Sequence, residues 1–320
     1  MYETIIEFVA QIFILAFSLV VLSLGGHFTV RAIERLIELT GLSEVSAGFV
    51  ILAVMTSTPE ITVAVFSVLQ GTPGISIGDV LGSNIFNLGV VMGILAMLGY
   101  MKTCCTELMV ELTDILFLTA LIPLLLVISH FHIFDVPGPI VGVVLLGAFL
   151  VNAYILIKKK TPSVAPNKVE AVKKGNVKKV VATLCLAFAG LLLAARLVVY
   201  SGSNIAVFLG VPPILLGAKV VAIGTSLPEI TLDLTAVRRG RIQLALGDII
   251  GSNLTNLTLV LGLVLVSSPL AVDMTIFTEI LPFLLITTVV FWRFLARGGV
   301  SQFGGMILML IYVLFQAVLV

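Results

Sequence analysis

Charge is what this sequence has least of. Only 11% of its 320 residues are Asp, Glu, Lys or Arg, whereas about 25% is usual in soluble domains. Hydrophobic residues make up 59%, and the mean hydropathy is +1.22. This composition excludes an ordinary soluble protein. The apolar runs also lack the alternation of apolar and polar residues found in the strands of outer-membrane barrels, so the chain is predicted to be an all-α membrane protein.

Cysteine is equally scarce, with three residues in the whole chain. Cys104, Cys105 and Cys185 do not have the spacing of metal ligands, and no structural disulfide is predicted from them. The first residues lack the basic region and the small-residue cleavage site of a secretory signal peptide, so none is expected. No cofactor, nucleic acid or obligatory protein partner is expected either. The expected partners are inorganic cations and the lipid bilayer.

Ten apolar stretches are long enough to cross a bilayer, which takes about 20 helical residues. They begin near Val9, Ser46, Ser76, Leu108, Val136, Val180, Pro212, Leu244, Met274 and Phe303. Residues 158–179, with eight lysines and one glutamate, separate the first five stretches from the last five. The predicted units are therefore a first repeat at 1–157, a basic linker at 158–179 and a second repeat at 180–320. Cytoplasmic loops of membrane proteins carry an excess of Lys and Arg. The lysine-rich linker is therefore predicted to lie in the cytoplasm, with both termini outside.

An internal repeat relates the two halves. Residues 48–93 align without a gap on residues 217–262, with 19 of 46 positions identical. Each half has five predicted spans, an odd number, so the second copy must enter the membrane from the opposite side. Inverted repeats with interrupted helices are typical of secondary transporters, whose site lies at the repeat interface near the midplane. The sequence thus predicts ten transmembrane helices arranged as two inverted five-helix repeats.

The matched positions include polar residues that packing alone would not preserve. Pro59 and Pro228 lack a backbone N–H and are expected to interrupt their helices, and helices 2, 3, 7 and 8 are predicted to be broken around a central site. The predicted ion ligands are Glu60, Glu229, Thr56, Thr225, Ser57, Ser226, Ser83, Ser252, Asn87 and Asn256. All offer oxygen, which suits hard cations such as Ca²⁺. The absence of His and Cys argues against Zn²⁺ and Cu⁺.

Two glutamates ionised at the midplane are costly unless their charge is compensated. One divalent cation balances Glu60 and Glu229, and so do two monovalent cations or two protons. Mutually exclusive occupancy by these ions is the physical basis of an exchanger.

At these motifs the sequence resembles the cation/Ca²⁺ exchanger superfamily, specifically the prokaryotic sodium/calcium exchangers. The motifs are GTSLPE at 224–229, MTSTPE at 55–60, GSNIFN at 82–87 and GSNLTN at 251–256. The resemblance implies a Ca²⁺/Na⁺ antiporter of the prokaryotic plasma membrane, not an enzyme. It also implies that the ten residues line one Ca²⁺ site and neighbouring Na⁺ sites, and that the first and sixth spans slide across the other eight.

Two alternatives stay open at this point. Many sodium/calcium exchangers carry Asp at one of the positions matching Asn87 and Asn256, and its absence here leaves a Ca²⁺/H⁺ antiporter as an alternative. An intramembrane aspartyl protease is the third hypothesis. It would need Asp79 and Asp248 to share a proton, whereas the inverted repeat places them toward opposite faces.

Four further charged residues lie in or near the predicted spans. Asp79 and Asp248 are expected to cap a half-helix or to attract cations electrostatically. Asp233, whose repeat counterpart is Ala64, is expected to line the inner vestibule or to pair with nearby arginines. Lys219 is expected to extend to the outer interface.

Overall fold

The computed structural model describes residues 2–40, 45, 47–69, 73–102, 106–158, 177–208, 222–268 and 274–318. In these residues all regular structure is helical. The first half contains α1 Tyr2–Thr40, α2 Ala53–Thr56, α3 Thr58–Leu69, α4 Pro73–Phe86, α5 Met92–Met97, α6 Glu107–Leu121, α7 Leu124–His130 and α8 Gly138–Lys158. The second half contains α9 Val177–Phe208, α10 Ala222–Thr225, α11 Leu227–Arg238, α12 Ile242–Thr255, α13 Leu261–Ser267, α14 Met274–Leu295 and α15 Gln302–Val318. The predicted all-α class is confirmed.

Three π-helical segments accompany these helices. One, Ala47–Leu52, precedes α2. The second, Asn87–Val91, joins α4 to α5, and the third, Asn256–Val260, joins α12 to α13. Residues 159–176 of the predicted linker, Cys104, Cys105 and Lys219 lie outside the described residues. The ends of that linker are helical, since α8 reaches Lys158 and α9 begins at Val177.

Six helices are long and apolar enough to cross a membrane. They are Ser76–Met97, Glu107–His130, Gly138–Ile155, Val177–Ala194, Ile242–Ser267 and Phe277–Leu295. In the predicted second span the 6-residue π-helical segment and the 4-residue α2 precede the 12-residue α3, and in the described part of the seventh span the 4-residue α10 precedes the 12-residue α11. Each of these pieces is too short to cross a bilayer alone. The chain is therefore an integral membrane protein with six candidate spanning helices among its described residues.

Two of the six spans form the centre of the molecule. In Ser76–Met97 and Ile242–Ser267, 89% and 83% of the apolar window is buried, against 22–39% in the other four spans. A span whose surface is mostly buried by neighbouring helices cannot face lipid around its circumference. The helices α4 and α12 therefore lie at the protein's interior, where polar side chains can be kept away from the lipid tails.

The two halves of the chain interlock at this centre. The π-helical segment at 47–52 and α2 pack on α12, while α10 packs on α4. Gly48 permits the first approach, because a Cβ at this position would lie 2.4 Å from the carbonyl oxygen of Leu244. Each half thus supplies a helix against which the interrupted helix of the other half packs.

Two further contacts between the halves occur where helices cross at glycine residues, and we call them the glycine crossings. A Cβ on Gly305 of α15 would lie 2.7 Å from the carbonyl oxygen of Gly93, and a Cβ on Gly142 of α8 would lie 2.8 Å from that of Gly262. Gly93 and Gly262 are matched positions of the sequence repeat. Small residues let membrane helices approach closely. In each half, the last helix therefore packs closely on a glycine of the other half.

The longest helices, α1 and α9, pack against each other, and α1 also contacts α11. The end of α1 is tied to the loop after α11, because Arg239 donates to both carboxylate oxygens of Glu34, and Arg241 Nε lies 3.3 Å from Glu34 Oε1. This ion-paired cluster marks one end of the bundle as the basic end.

Candidate ion-binding site

The second predicted span bends at Ser57. Helix α2 ends at Thr56 and α3 begins at Thr58, with Ser57 at φ −74° and ψ 3°. Pro59 cannot donate to the carbonyl of Met55, which removes one hydrogen bond from the ladder. The N–H of Ser57 still donates to the carbonyl oxygen of Ala53 at 3.1 Å. The backbone therefore bends here without unwinding completely.

The seventh predicted span repeats this bend at Ser226. Its φ is −88° and its ψ 6°, and it stands between α10 and α11. Pro228 removes the donor for the carbonyl of Gly224, and the bond from Ser226 N–H to the Ala222 carbonyl oxygen is 3.4 Å long. Two equivalent bends thus present the two TSxPE motifs to the interior.

Every predicted ion ligand lies in the interior of the protein. The side chains of Glu60, Glu229, Thr56, Ser57, Ser226, Ser83, Ser252, Asn87 and Asn256 are 0% exposed, and Thr225 is 5% exposed. Neither glutamate faces lipid. Ser83 and Ser252 lie in α4 and α12, Asn87 and Asn256 begin the π-helical segments that follow them, and the interrupted helices contribute the other six residues. The structure therefore brings all four motifs to one central region.

Hydroxyl groups join the two halves through a pair of aspartates. We call Asp79, Ser83 and Thr225 the Asp79 cluster. Thr225 Oγ1 donates to Asp79 Oδ1 at 2.9 Å and lies 3.3 Å from Ser83 Oγ, which in turn donates to Asp79 Oδ1 at 3.4 Å. The threonine of one repeat is thus bonded to the aspartate and serine of the other.

The repeat-related set, Asp248, Ser252 and Thr56, forms the Asp248 cluster. Thr56 Oγ1 donates to Asp248 Oδ1 at 3.2 Å and lies 3.0 Å from Ser252 Oγ, which donates to the same carboxylate oxygen at 3.3 Å. All three side chains are fully buried. The site therefore has two equivalent polar clusters, each assembled from both repeats.

The capping role predicted for Asp79 and Asp248 is wrong. Both lie in the middle of α4 and α12 and are fully buried, so neither can cap a helix terminus. They accept hydrogen bonds from predicted ligand residues, and the predicted site omitted them. The four-residue spacing of Asp79 and Ser83, repeated in the other half, is the sequence signal that places carboxylate and hydroxyl on one helical face.

The two glutamates lie close enough for their charges to interact. Glu60 also lies near Asp79, and Glu229 near Asp248. Among the described residues, neither glutamate has a hydrogen-bond partner for its carboxylate oxygens. A buried polar group without a partner costs about 1–3 kcal/mol, and more if it is charged. A bound cation would satisfy these oxygens.

The asparagines and the serines at the bends also have buried side-chain oxygens without hydrogen-bond partners. The side-chain oxygens of Asn87, Asn256, Ser57 and Ser226 are buried and have no hydrogen-bond partner in the described part of the chain. Each asparagine also begins a π-helical segment, a distortion that often occurs at functional sites. Neutral oxygens are thus available beside the carboxylates.

Carboxylates alone do not make a metal centre here. In the ranges that the structure describes, no group of three or more His, Cys, Asp or Glu side chains is close enough to hold a metal ion. A cation bound at Glu60 and Glu229 would need the hydroxyl and amide oxygens as well. Such a mixed set of carboxylate and neutral oxygens is one that Ca²⁺ accepts.

Comparisons with known proteins find similarity along nearly the whole chain. The family model described as sodium/calcium exchanger protein matches residues 10–158 and 179–320. Sodium/calcium exchanger MaX1 of Methanosarcina acetivorans is 29% identical over 345 residues, covering 96% of this chain and 97% of the relative. Membrane protein MJ0091 of Methanocaldococcus jannaschii is 30% identical over 245 residues, covering 75% of this chain and 76% of the relative.

The fold is also similar to a solved structure. The sodium-calcium exchanger NCX_Mj, soaked with 2.5 mM Na⁺ and 0.1 mM Sr²⁺, superposes with a TM-score of 0.81 at 25% identity, covering 98% of this chain and 100% of the other. A likeness of this extent includes both halves of the chain.

Proposed function

Because the chain belongs to the sodium/calcium exchanger family, we propose that it is a secondary antiporter that exchanges Ca²⁺ for Na⁺ across the membrane by alternating access. It is an ion transporter and not an enzyme. One observation carries the proposal: Glu60 and Glu229, at equivalent positions of the two repeats, are fully buried, interact with each other and have carboxylate oxygens without hydrogen-bond partners in the described residues.

The ten residues predicted from the sequence are proposed to hold the transported ions. The set consists of Glu60, Glu229, Thr56, Thr225, Ser57, Ser226, Ser83, Ser252, Asn87 and Asn256. One Ca²⁺ balances the charge of the two glutamates, and Na⁺ ions that share the same oxygens displace it. Occupancy by one kind of ion excludes the other, which couples the two fluxes.

The proposed architecture is ten transmembrane helices in two inverted five-helix repeats, at 1–157 and 180–320, separated by the basic linker at 158–179. The bends at Ser57 and Ser226 and the π-helical segments at Asn87 and Asn256 are proposed as the interruptions of helices 2, 7, 3 and 8. The paired clusters and glycine crossings support this symmetry.

The proposed orientation places both termini outside and the basic end of the bundle, with its Glu34–Arg239 ion pair, in the cytoplasm. The uneven distribution of Lys and Arg supports it. The membrane is proposed to be a prokaryotic plasma membrane.

The test is uptake of ⁴⁵Ca²⁺ into proteoliposomes that are loaded with Na⁺ and held at equal pH on both sides. We expect uptake to depend on the outward Na⁺ gradient. Uptake that does not depend on Na⁺ in this assay, and that an outward-directed H⁺ gradient drives in a parallel assay without Na⁺, would instead establish Ca²⁺/H⁺ exchange and overturn Ca²⁺/Na⁺ exchange.

The protease hypothesis is tested in the same assay. It requires Asp79 and Asp248 to act as one pair, whereas each accepts hydrogen bonds within its own cluster. We expect Glu60→Gln to reduce Ca²⁺ flux more than Asp79→Asn does. The opposite order, together with cleavage of a membrane substrate, would favour the protease.

A further inference from the structure

One buried acid breaks the symmetry of the site. Asp233 lies four residues after Glu229 in α11, so both side chains project from one helical face. It is 0% exposed, and neither of its carboxylate oxygens has a hydrogen-bond partner among the described residues. The matched position of the first repeat is Ala64, which is also fully buried. The second repeat therefore carries a carboxylate that the first repeat lacks.

Asp233 is not neutralised by the arginines nearby. Arg239 and Arg241, in the loop after α11, bind Glu34 of α1. Since no N–H group donates to either carboxylate oxygen of Asp233 among the described residues, the prediction that Asp233 pairs with arginine is wrong. Its complete burial also contradicts the alternative that it lines an open vestibule.

The side chain of Asp233 is directed at the Asp248 cluster. Helix α11 packs on α12, and the carboxyl group of Asp233 is within hydrogen-bonding reach of that of Asp248. Asp248 Oδ1 accepts hydrogen bonds from Thr56 and Ser252, whereas Asp248 Oδ2 has no partner in the described part of the chain. Three carboxylate oxygens that accept no hydrogen bond from a hydroxyl or N–H group of the described residues thus belong to two adjacent buried side chains.

We propose that Asp233 and Asp248, with the hydroxyl oxygens of Thr56 and Ser252, form an additional position for a divalent cation beside Glu229. This proposal rests on the proposed function and extends it. Asp233 follows Glu229 toward the loop at residues 239–241, so the additional position lies between the two glutamates and the basic end of the bundle. An ion that leaves or enters the central site at that end would occupy it.

Charge and ligand number favour a divalent ion. Two ionised carboxylates balance one Ca²⁺. Asp233 supplies two oxygens, Asp248 one, and Thr56 and Ser252 one each. Ca²⁺ takes about 6–8 oxygens, so one or more water or backbone oxygens complete the set. The Asp79 cluster has one carboxylate and Ala64 in place of the second, which leaves it short of charge for the same ion.

The test separates this position from the central one. The full chain with Glu60→Gln and Glu229→Gln is purified in detergent, and ⁴⁵Ca²⁺ binding is measured by equilibrium dialysis. We expect about one Ca²⁺ per chain to remain bound. Adding Asp233→Asn, which keeps the shape and removes the charge, should weaken this remaining binding at least about tenfold. Asp233→Ala gives the second repeat the residue of the first and serves as the second variant.

A matched control is Asp135→Asn, which removes an exposed carboxylate elsewhere in the chain and should leave binding unchanged. Monodisperse elution verifies that each variant is folded. Absence of Ca²⁺ binding in the Glu60/Glu229 double variant would overturn the proposal, because Asp233 and Asp248 would then share a proton. Binding that survives Asp233→Asn and Asp233→Ala would overturn it as well. Failure of Na⁺-driven uptake by the unmodified protein would reject the exchanger function without affecting this binding result.

Discussion

The Asp79 and Asp248 clusters contain the same three residue types in the same arrangement. The threonine-to-aspartate hydrogen bond is 2.9 Å in the first and 3.2 Å in the second, and in both the threonine comes from the opposite repeat. The surroundings differ at Asp233, which lies against Asp248, whereas Ala64 holds the matched position in the other repeat. The hydrogen-bonded network between the two repeats is therefore symmetric. The position one helical turn after the glutamate is not symmetric, since it is Asp233 in one repeat and Ala64 in the other.

The cross-repeat bonds also make the halves interdependent. The first half of the chain alone would leave Asp79 without Thr225, and the second half alone would leave Asp248 without Thr56. Because unpartnered buried carboxylates are costly, docking of the two halves and formation of the site are one event.

The largest effect should come from removing either glutamate charge. Glu60→Gln and Glu229→Gln should each reduce Na⁺-dependent ⁴⁵Ca²⁺ uptake at least about 100-fold, because one carboxylate cannot balance a divalent ion in a low-dielectric interior. Initial uptake rates in proteoliposomes measure this. Glu107→Gln, at an exposed position at the start of α6, is the control. If one of the two variants kept half of the rate, the repeats would not contribute equally.

The threonines test whether the two clusters are equivalent. Thr56→Val and Thr225→Val keep the shape of the side chain and remove a donor to Asp248 and Asp79, respectively. The loss of a hydrogen bond to a charged group, about 1.5–3 kcal/mol, should lower the Ca²⁺ affinity by roughly tenfold or more, as read from the concentration dependence of uptake. Thr56→Ser and Thr225→Ser retain the hydroxyl and should bind nearly as well as the unmodified protein. A larger effect of Thr56→Val than of Thr225→Val would reveal the influence of Asp233.

The glycine crossings of α8 and α15 are a second feature in which the two halves can be compared. Gly142→Ala and Gly305→Ala would each place a Cβ within 2.8 Å of a backbone oxygen of the facing helix, and overpacking of this kind costs about 1–3 kcal/mol. Thermal unfolding in detergent should show both variants to be destabilised by similar amounts. In Gly147→Ala, also in α8, the new Cβ meets no atom within 4 Å, so its stability should not fall. If only one of the two variants were destabilised, close helix packing at glycine would contribute to stability in only one half.

The smallest effect concerns the ion-paired cluster at the basic end. Burial raises the pKa of Glu34, but hydrogen bonds and charges from Arg239 and Arg241 outweigh it, and the net result is a pKa below the ordinary value of 4.5. The pair therefore stabilises the protein above that value and is lost as the pH falls through the lowered pKa. Glu34→Gln should cost about 1 kcal/mol at pH 7, because partial exposure screens the interaction.

The pH dependence is the internal control for this variant. The difference in thermal stability between Glu34→Gln and the unmodified protein should disappear once Glu34 is protonated in both states. A difference that stays constant from pH 7 to pH 3 would mean that the carboxylate charge does not contribute.

Much of the site could be predicted from the sequence, because its residues belong to two short motifs in each repeat. Glu60 and Pro59 share one motif, and Ser83 and Asn87 share one helical face, so their proximity follows from the helical period. The error about Asp79 and Asp248 has a physical reason. An aspartate inside an apolar run is costly unless it has a partner, and the partners, Thr225 and Thr56, lie in the opposite repeat, which no local pattern shows.

The sequence by itself determined that the chain is a helical membrane protein, that it is duplicated, and that two matched glutamates lie among hydroxyl and amide oxygens. Composition, hydrophobic run length and internal identity are properties of the chain alone. Only the tertiary structure decided that Thr56 meets Asp248, that Asp233 faces the same carboxylate, and that Gly93 crosses Gly305. These contacts depend on how distant helices are aligned against one another, and that alignment is set by the packing of side chains far apart in the chain.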